Sequence, residues 1–120
     1  MKNGYLINAL PGACIPKEGA ELTIRPIEAK EVPKDITSAI GHADTAGLVS
    51  GLVGFEIPMN RTSVPPFEIG RVDYLALYQG PRLPEGSTTL PEGATVNFYR
   101  LAVMDCDSCK EYNFQAGANY

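Results

Sequence analysis

The chain carries a single histidine, His42, inside the segment SAIGHADTAGLVSG at Ser38–Gly51. Imidazole donates or accepts a proton near neutral pH, so one histidine is enough for general acid or base work. Gly41 before it lets a backbone or a ligand approach closely, and the helix start that follows offers unpaired amides to a phosphate. In that setting His42 would protonate the leaving oxygen of a cleaved phosphodiester. A histidine at a helix start also serves merely as a local hydrogen-bonding group, and Asp44 and Thr45 beside it are ordinary cap residues. Arg61, in IPMNR, and Arg82, in RLPEG, flank the expected central strand on separate loops. A guanidinium makes two parallel hydrogen bonds to phosphate or stabilises charge that grows in a transition state. The plainer alternative for Arg82 is a surface ion pair with Glu85. Glu85 fits several roles: orienting His42 or Arg82, assisting a nucleophile, or solvating its loop.

Cys106 and Cys109, in DCDSC, have the spacing of half a zinc site or of a redox pair. A zinc site would need two more ligands from Cys14, His42, an acidic residue or a second subunit. Thioredoxin-like chemistry lacks its strand-to-helix setting here, so neither a metal nor a cofactor is expected. The sequence shows no internal repeat, nucleotide-hydrolase glycine loop, dinucleotide fingerprint or nucleophile elbow, and Gly80–Gly86 reads as a turn with an embedded charge pair. Any catalytic reading therefore rests on residues far apart in the chain.

The elements that must bring them together are short and joined by Pro- and Gly-rich turns. Tyr5–Leu10 reads as a strand ended by Pro11-Gly12, Leu22–Ile24 as a weak strand, and Ile27–Val32 as a helical turn stopped by Pro33. In Thr45–Leu52, the residues Leu48, Val49 and Leu52 recur at helical spacing, with Gly54 as terminator. Val72–Tyr78 and Val96–Met104, rich in Val, Leu, Tyr and Phe, read as strands. Tyr5, Phe55, Phe67, Tyr74, Tyr78, Phe98 and Tyr99 are expected in the core or on a dimer surface. The pattern predicts an α/β fold, a small mixed β-sheet flanked by helices in one domain spanning residues 1–120. Residues 105–120 read as an irregular cap or a frayed tail.

A chain of 120 residues that is 44% hydrophobic buries one modest core, and association into a homodimer is the expectation for so small a domain. A net charge of -4 disfavours duplex DNA and anionic membranes as partners. It leaves room for a local cationic pocket, to which Arg25, Arg61, Arg71, Arg82 and Arg100 are the candidate contributors. No apolar run reaches membrane-spanning length and Met1–Leu10 lacks the parts of a secretion signal, so a cytoplasmic location is expected. Three cysteines, an odd number, agree with a reducing compartment.

Taken as a whole, the chain resembles the viral ring nuclease family, the archaeal-virus and phage proteins that oppose type III CRISPR defence by destroying cyclic tetra-adenylate. The resemblance is carried by YLINA at Tyr5–Ala9, SAIGHADTAGLVSGLVG at Ser38–Gly54, IPMNR at Ile57–Arg61 and RLPEG at Arg82–Gly86, in the family's order. It implies a homodimeric α/β protein that binds one cyclic tetra-adenylate across its two-fold interface. It also implies cleavage to linear di-adenylates without a metal, in the host cytoplasm if the protein is viral. The family's catalytic groups then fall on His42, Arg82 and Glu85, and its substrate-binding groups on Asn8, Gly41, Thr45 and Arg61. The sequence departs from the family at LPGAC, Leu10–Cys14, where a small hydroxyl residue is usual. It departs again at STTLPEGATVNF, which is short and turn-rich where a helical segment is usual.

Two readings from other classes stand beside the nuclease. A protein that only sequesters a cyclic oligonucleotide would keep Arg61 and Arg82 at the ligand, with His42 out of line with any scissile oxygen. A structural or regulatory dimer would have no concave cationic pocket. The nuclease reading expects His42, Arg61, Arg82 and Glu85 around one cavity.

Overall fold

The computed structural model describes residues 2–87 and 89–104, so the cysteine pair Cys106 and Cys109 and the expected tail at 105–120 lie outside the described residues. Strands β1 (Lys2–Ile7), β2 (Leu22–Ile27), β3 (Thr37–Ser38), β4 (Arg71–Gln79) and β5 (Thr95–Val103) form one sheet in the order β2-β5-β4-β1-β3. β1 pairs in parallel with β3 and β4, while β5 runs antiparallel to β4 and β2. The α/β expectation therefore holds, with a mixed sheet and one α-helix, α1 (Ala43–Val53), among the described residues.

Period-two alternation sends side chains to the two faces of the sheet. Leu6, Val72, Tyr74, Ala76, Phe98 and Ala102 pack on one face against Ala46, Val49 and Val53 of α1. Ile7, Leu75 and Leu101 pack on the other against Cys14, from a 3-10 turn at Gly12–Cys14, and against Val64 and Phe67, from an irregular segment. The second face thus has loop cover where a flanking helix is expected. Between β4 and β5 the described residues form turns and no helix, as the short STTLPEGATVNF segment implies.

Helix α1 starts two residues earlier than its apolar spacing suggests. Its buried side chains are Ala46, Leu48, Val49 and Val53, while Leu52 is 38% exposed. The stripe read in the sequence holds at Leu48 and Val49, while Val53 takes the place of Leu52 and Ala46 joins it. Gly54 ends the helix at φ +87°, its N–H donating to the Ser50 carbonyl at 3.0 Å. This left-handed cap strains any residue bearing a Cβ.

β2 continues through Pro26, where the sequence suggests a stop after Ile24. β2 is an edge strand with only β5 beside it, and a proline whose missing N–H would face outward is tolerated there. The expected helical turn is a 3-10 turn at Ala29–Glu31. Phe67, Tyr74 and Phe98 are buried in the core, and Tyr5, Phe55, Tyr78 and Tyr99 are half-buried.

β1 begins at Lys2 and carries a register shift between Asn3 and Leu6. The Tyr5 N–H turns to the Asp73 carboxylate at 2.8 Å. That carboxylate is gripped by Arg71, with Nε 3.1 Å from both oxygens and Nη2 3.0 Å from Oδ2. Arg71 also donates to the Pro65 carbonyl at 3.0 Å and lies over the Tyr5 ring. Arg71 and Asp73 are 4% and 1% exposed. Arg71 is therefore engaged in the fold and lies with Lys2 and Glu68 at a separate small cavity, apart from Arg61 and Arg82, which corrects its place among the candidate arginines. Arg25 and Arg100 are likewise elsewhere, opposite one another in the β2–β5 register.

Cys14 is fully buried beneath the second face, its Sγ 3.8 Å from the Val64 carbonyl oxygen. Burial pushes its thiol pKa up, the nearby Asp73 carboxylate adds to that, and Arg71 opposes it. A buried thiol kept protonated is a poor nucleophile. In the native protein at neutral pH, Cys14 should resist iodoacetamide, and in denaturant it should alkylate at the ordinary rate; peptide mass spectrometry distinguishes the two.

Candidate active site

In open sheets the cleft for a ligand lies beyond the carboxyl ends of parallel strands, where neighbouring connections diverge. Here β1 is flanked by two parallel partners, β3 and β4. Asn8 follows the end of β1, Gly41 and His42 follow β3, and the segment from Gly80 to Gly86 follows β4. Residues distant in sequence thereby meet at one end of the sheet.

His42 occupies the N-cap position of α1, and its side chain makes no cap hydrogen bond. It is exposed and has no hydrogen bond or ion pair among the described residues, so the local-bond reading of this histidine is not met. The first amides of α1 have no partner inside the helix and open toward the same end.

The segment Ile57–Arg61 is strapped beside this helix start by three contacts. Ser50 Oγ accepts the Ile57 N–H at 2.7 Å, and the Ile40 carbonyl accepts the Asn60 N–H at 2.8 Å. The Asn60 side-chain amide donates to the Ser38 carbonyl at 2.7 Å. Arg61 then donates from Nε to the Gly41 carbonyl at 3.0 Å. A Cβ on Gly41 would stand 3.1 Å from Arg61 Cγ, so glycine leaves room for the arginine stem. With Nε engaged, the outer nitrogens of Arg61 remain for a ligand.

The segment after β4 is held at its root by the Tyr78 hydroxyl, which donates to the Pro81 carbonyl. Gly80 packs on Ala94, where an added Cβ would meet the Ala94 Cβ at 2.6 Å. Farther along, the Gly86 N–H donates to Asp44 Oδ2 at 2.9 Å. No ion pair joins Arg82 and Glu85 among the described residues, and neither holds His42, so the expected pairing and orienting roles of Glu85 are not formed here.

Two adjoining cavities result. One, of about 820 Å³, is lined by His42, Asp44, Arg61, Arg82 and Glu85, with Met59 and Leu83 among its apolar wall. The other, of about 590 Å³, is lined by Asn8, His42, Thr45, Tyr78 and Arg82. His42, Asp44, Arg82 and Leu83 belong to both. All the candidate residues but Gly41 line one cavity or the other, and Gly41 stands behind Arg61.

Sequence reasoning missed Asp44 as more than a cap, and it missed Tyr78 and Met59 as wall residues. The signal for Tyr78 was available in its place at the end of a strand. That for Asp44 lies in a contact 42 residues away.

The arrangement offers two guanidinium groups for phosphate, an unhindered imidazole for proton transfer, and apolar and aromatic surface for a base. Among the described residues no group of three or more His, Cys, Asp or Glu is placed to hold a metal ion. No helix of the described residues is long and apolar enough to cross a membrane.

No curated protein matches the chain. Among solved structures, B116 of Sulfolobus turreted icosahedral virus is similar, with a TM-score of 0.64 at 21% identity over 83% of this chain and 98% of that one. At that identity the likeness speaks for the fold. The family model described as STIV B116-like matches residues 5–99, which run from the second half of β1 to the middle of β5 and take in every candidate residue of the cleft. On that match, the chain belongs to the STIV B116-like family.

Proposed function

We propose that the protein is a metal-independent ring nuclease that cleaves cyclic tetra-adenylate into linear di-adenylates ending in a 2′,3′-cyclic phosphate, and so opposes type III CRISPR immunity. The observation that carries this reading is the meeting of His42, Arg61, Arg82 and Glu85 around one cleft. The ribose 2′-oxygen attacks the adjacent phosphorus, forming the cyclic phosphate as the bond to the 5′-oxygen breaks. Alignment of the attacking and leaving oxygens supplies much of the acceleration. His42 protonates the departing 5′-oxygen, and the 2′-hydroxyl proton is lost to Glu85 or to solvent. Arg82 and Arg61 stabilise the negative charge on the non-bridging oxygens of the reacting phosphate, while Asn8 and Thr45 contact the ligand from the adjoining cavity.

A homodimer placing two such clefts face to face presents two His42 side chains to one ring. One histidine per chain then serves two opposed cuts, and two cuts give two di-adenylates.

The direct test is to incubate metal-stripped protein with labelled cyclic tetra-adenylate in a chelator and to separate the products. Linear di-adenylate with a cyclic phosphate is expected. Tight binding without cleavage would favour a sequestering protein, and neither binding nor cleavage would overturn both readings.

A further inference from the structure

A carboxylate is an unexpected lining for a cleft meant to receive phosphates, because it repels them. Asp44 lines both cavities nonetheless. It sits in the first turn of α1, half-buried, two residues after His42. Its Oδ2 accepts the Gly86 N–H at 2.9 Å, and this is the only side-chain hydrogen bond among the described residues between α1 and the segment after β4.

That segment carries Arg82 and Glu85, whose own side chains have no hydrogen bond or ion pair among the described residues to locate them. Their position is set by the backbone alone. The backbone is tied at its root by the Tyr78 hydroxyl on Pro81 and closed by a turn in which the Ser87 N–H donates to the Pro84 carbonyl at 3.0 Å. Neither tie refers to His42. The Asp44 contact does, since Asp44 and His42 share one helix start.

We propose that Asp44 is a positioning residue, whose carboxylate pins Gly86 and so fixes the spacing of Arg82 and Glu85 from His42. The consequence for activity rests on the nuclease reading above, while the consequence for Gly86 does not.

The test compares Asp44→Ala, which removes the acceptor, with Asp44→Asn, which keeps an oxygen at the same place. Hydrogen exchange of the Gly86 amide, followed by NMR, should quicken by about tenfold in Asp44→Ala and change little in Asp44→Asn. With cyclic tetra-adenylate, kcat should fall by about tenfold or more in Asp44→Ala, because misplacement near reacting groups is costly, while KM moves by less than about threefold. Asp44→Asn should recover most of kcat. Unchanged Gly86 exchange in Asp44→Ala overturns the proposal, and so does an Asn variant as impaired as the Ala variant. If the parent does not cleave the ring, the nuclease reading fails and the Gly86 exchange alone decides the role of Asp44.

Discussion

His42→Ala should abolish ring cleavage while leaving the protein folded and able to hold cyclic tetra-adenylate. A positioned general acid contributes on the order of 10² to 10⁴-fold, so single-turnover cleavage should fall by that factor. His42 is exposed and has no partner among the described residues, so its removal should change stability by no more than about 0.5 kcal/mol. The ligand's affinity should stay within a few-fold because Arg61 and Arg82 remain in place. Rapid-quench kinetics and a binding isotherm on the same preparation separate the two effects. A variant that cleaves at the parent's rate would remove His42 from the chemistry and leave Glu85 and the arginines to explain any cleavage.

The largest stability effect is expected at the other end of the sheet. Asp73→Ala should cost about 3 kcal/mol, because it removes the buried carboxylate that grips the Arg71 guanidinium and leaves only the more exposed Glu68, 3.7 Å away, as a counter-charge. It also leaves the Tyr5 N–H without the acceptor it uses at the register shift. Domains of this kind are stable by about 5–15 kcal/mol in all, so the variant should unfold at a much lower urea concentration. Replacing both partners with leucine should recover a good part of the loss, since breaking a buried pair is worse than removing it. Equilibrium urea unfolding of the single and double variants measures this directly. A double variant no better than Asp73→Ala would mean that the contact to Tyr5 outweighs the ion pair.

β4 and β5 were legible in the sequence because each concentrates aliphatic and aromatic residues: Val72, Tyr74, Leu75, Leu77 and Tyr78 in one, and Val96, Phe98, Tyr99, Leu101 and Val103 in the other. α1 was legible from its apolar spacing and Gly54, although the buried stripe takes in Ala46 and Val53 and leaves Leu52 out. β3 was not legible, because Thr37–Ser38 is too short to carry a pattern and is a strand only through its pairing with β1. The start of β1 was hidden because Lys2, Asn3 and Gly4 are poor strand formers, the first two held by pairing with β4 and Gly4 lying in the register shift.

The same division runs through the site. His42, Arg61, Arg82 and Glu85 could be named from their types and from the family resemblance, and the strand order brings them together. Arg71 looked like one more phosphate ligand, because the burial that ties it to Asp73, two residues on along the same strand, comes from the Tyr5 and Pro65 segments folding over it. The bond from Asp44 to Gly86 had no local signature at all, since it depends on where a loop lands.

β4 connects the two regions, beginning at Arg71 and ending next to the loop that bears Arg82. At about 3.4 Å per residue, the path along β4 from Asp73 of the ion pair to Tyr78 of the cleft wall is roughly 17 Å. At that separation, substitutions in the two regions act additively. The cleft can therefore be rebuilt by exchange of its loop residues without drawing on the reserve that keeps the sheet intact. The molecule has a keel at one end and a workbench at the other, and selection can refit the workbench while the keel stays sound.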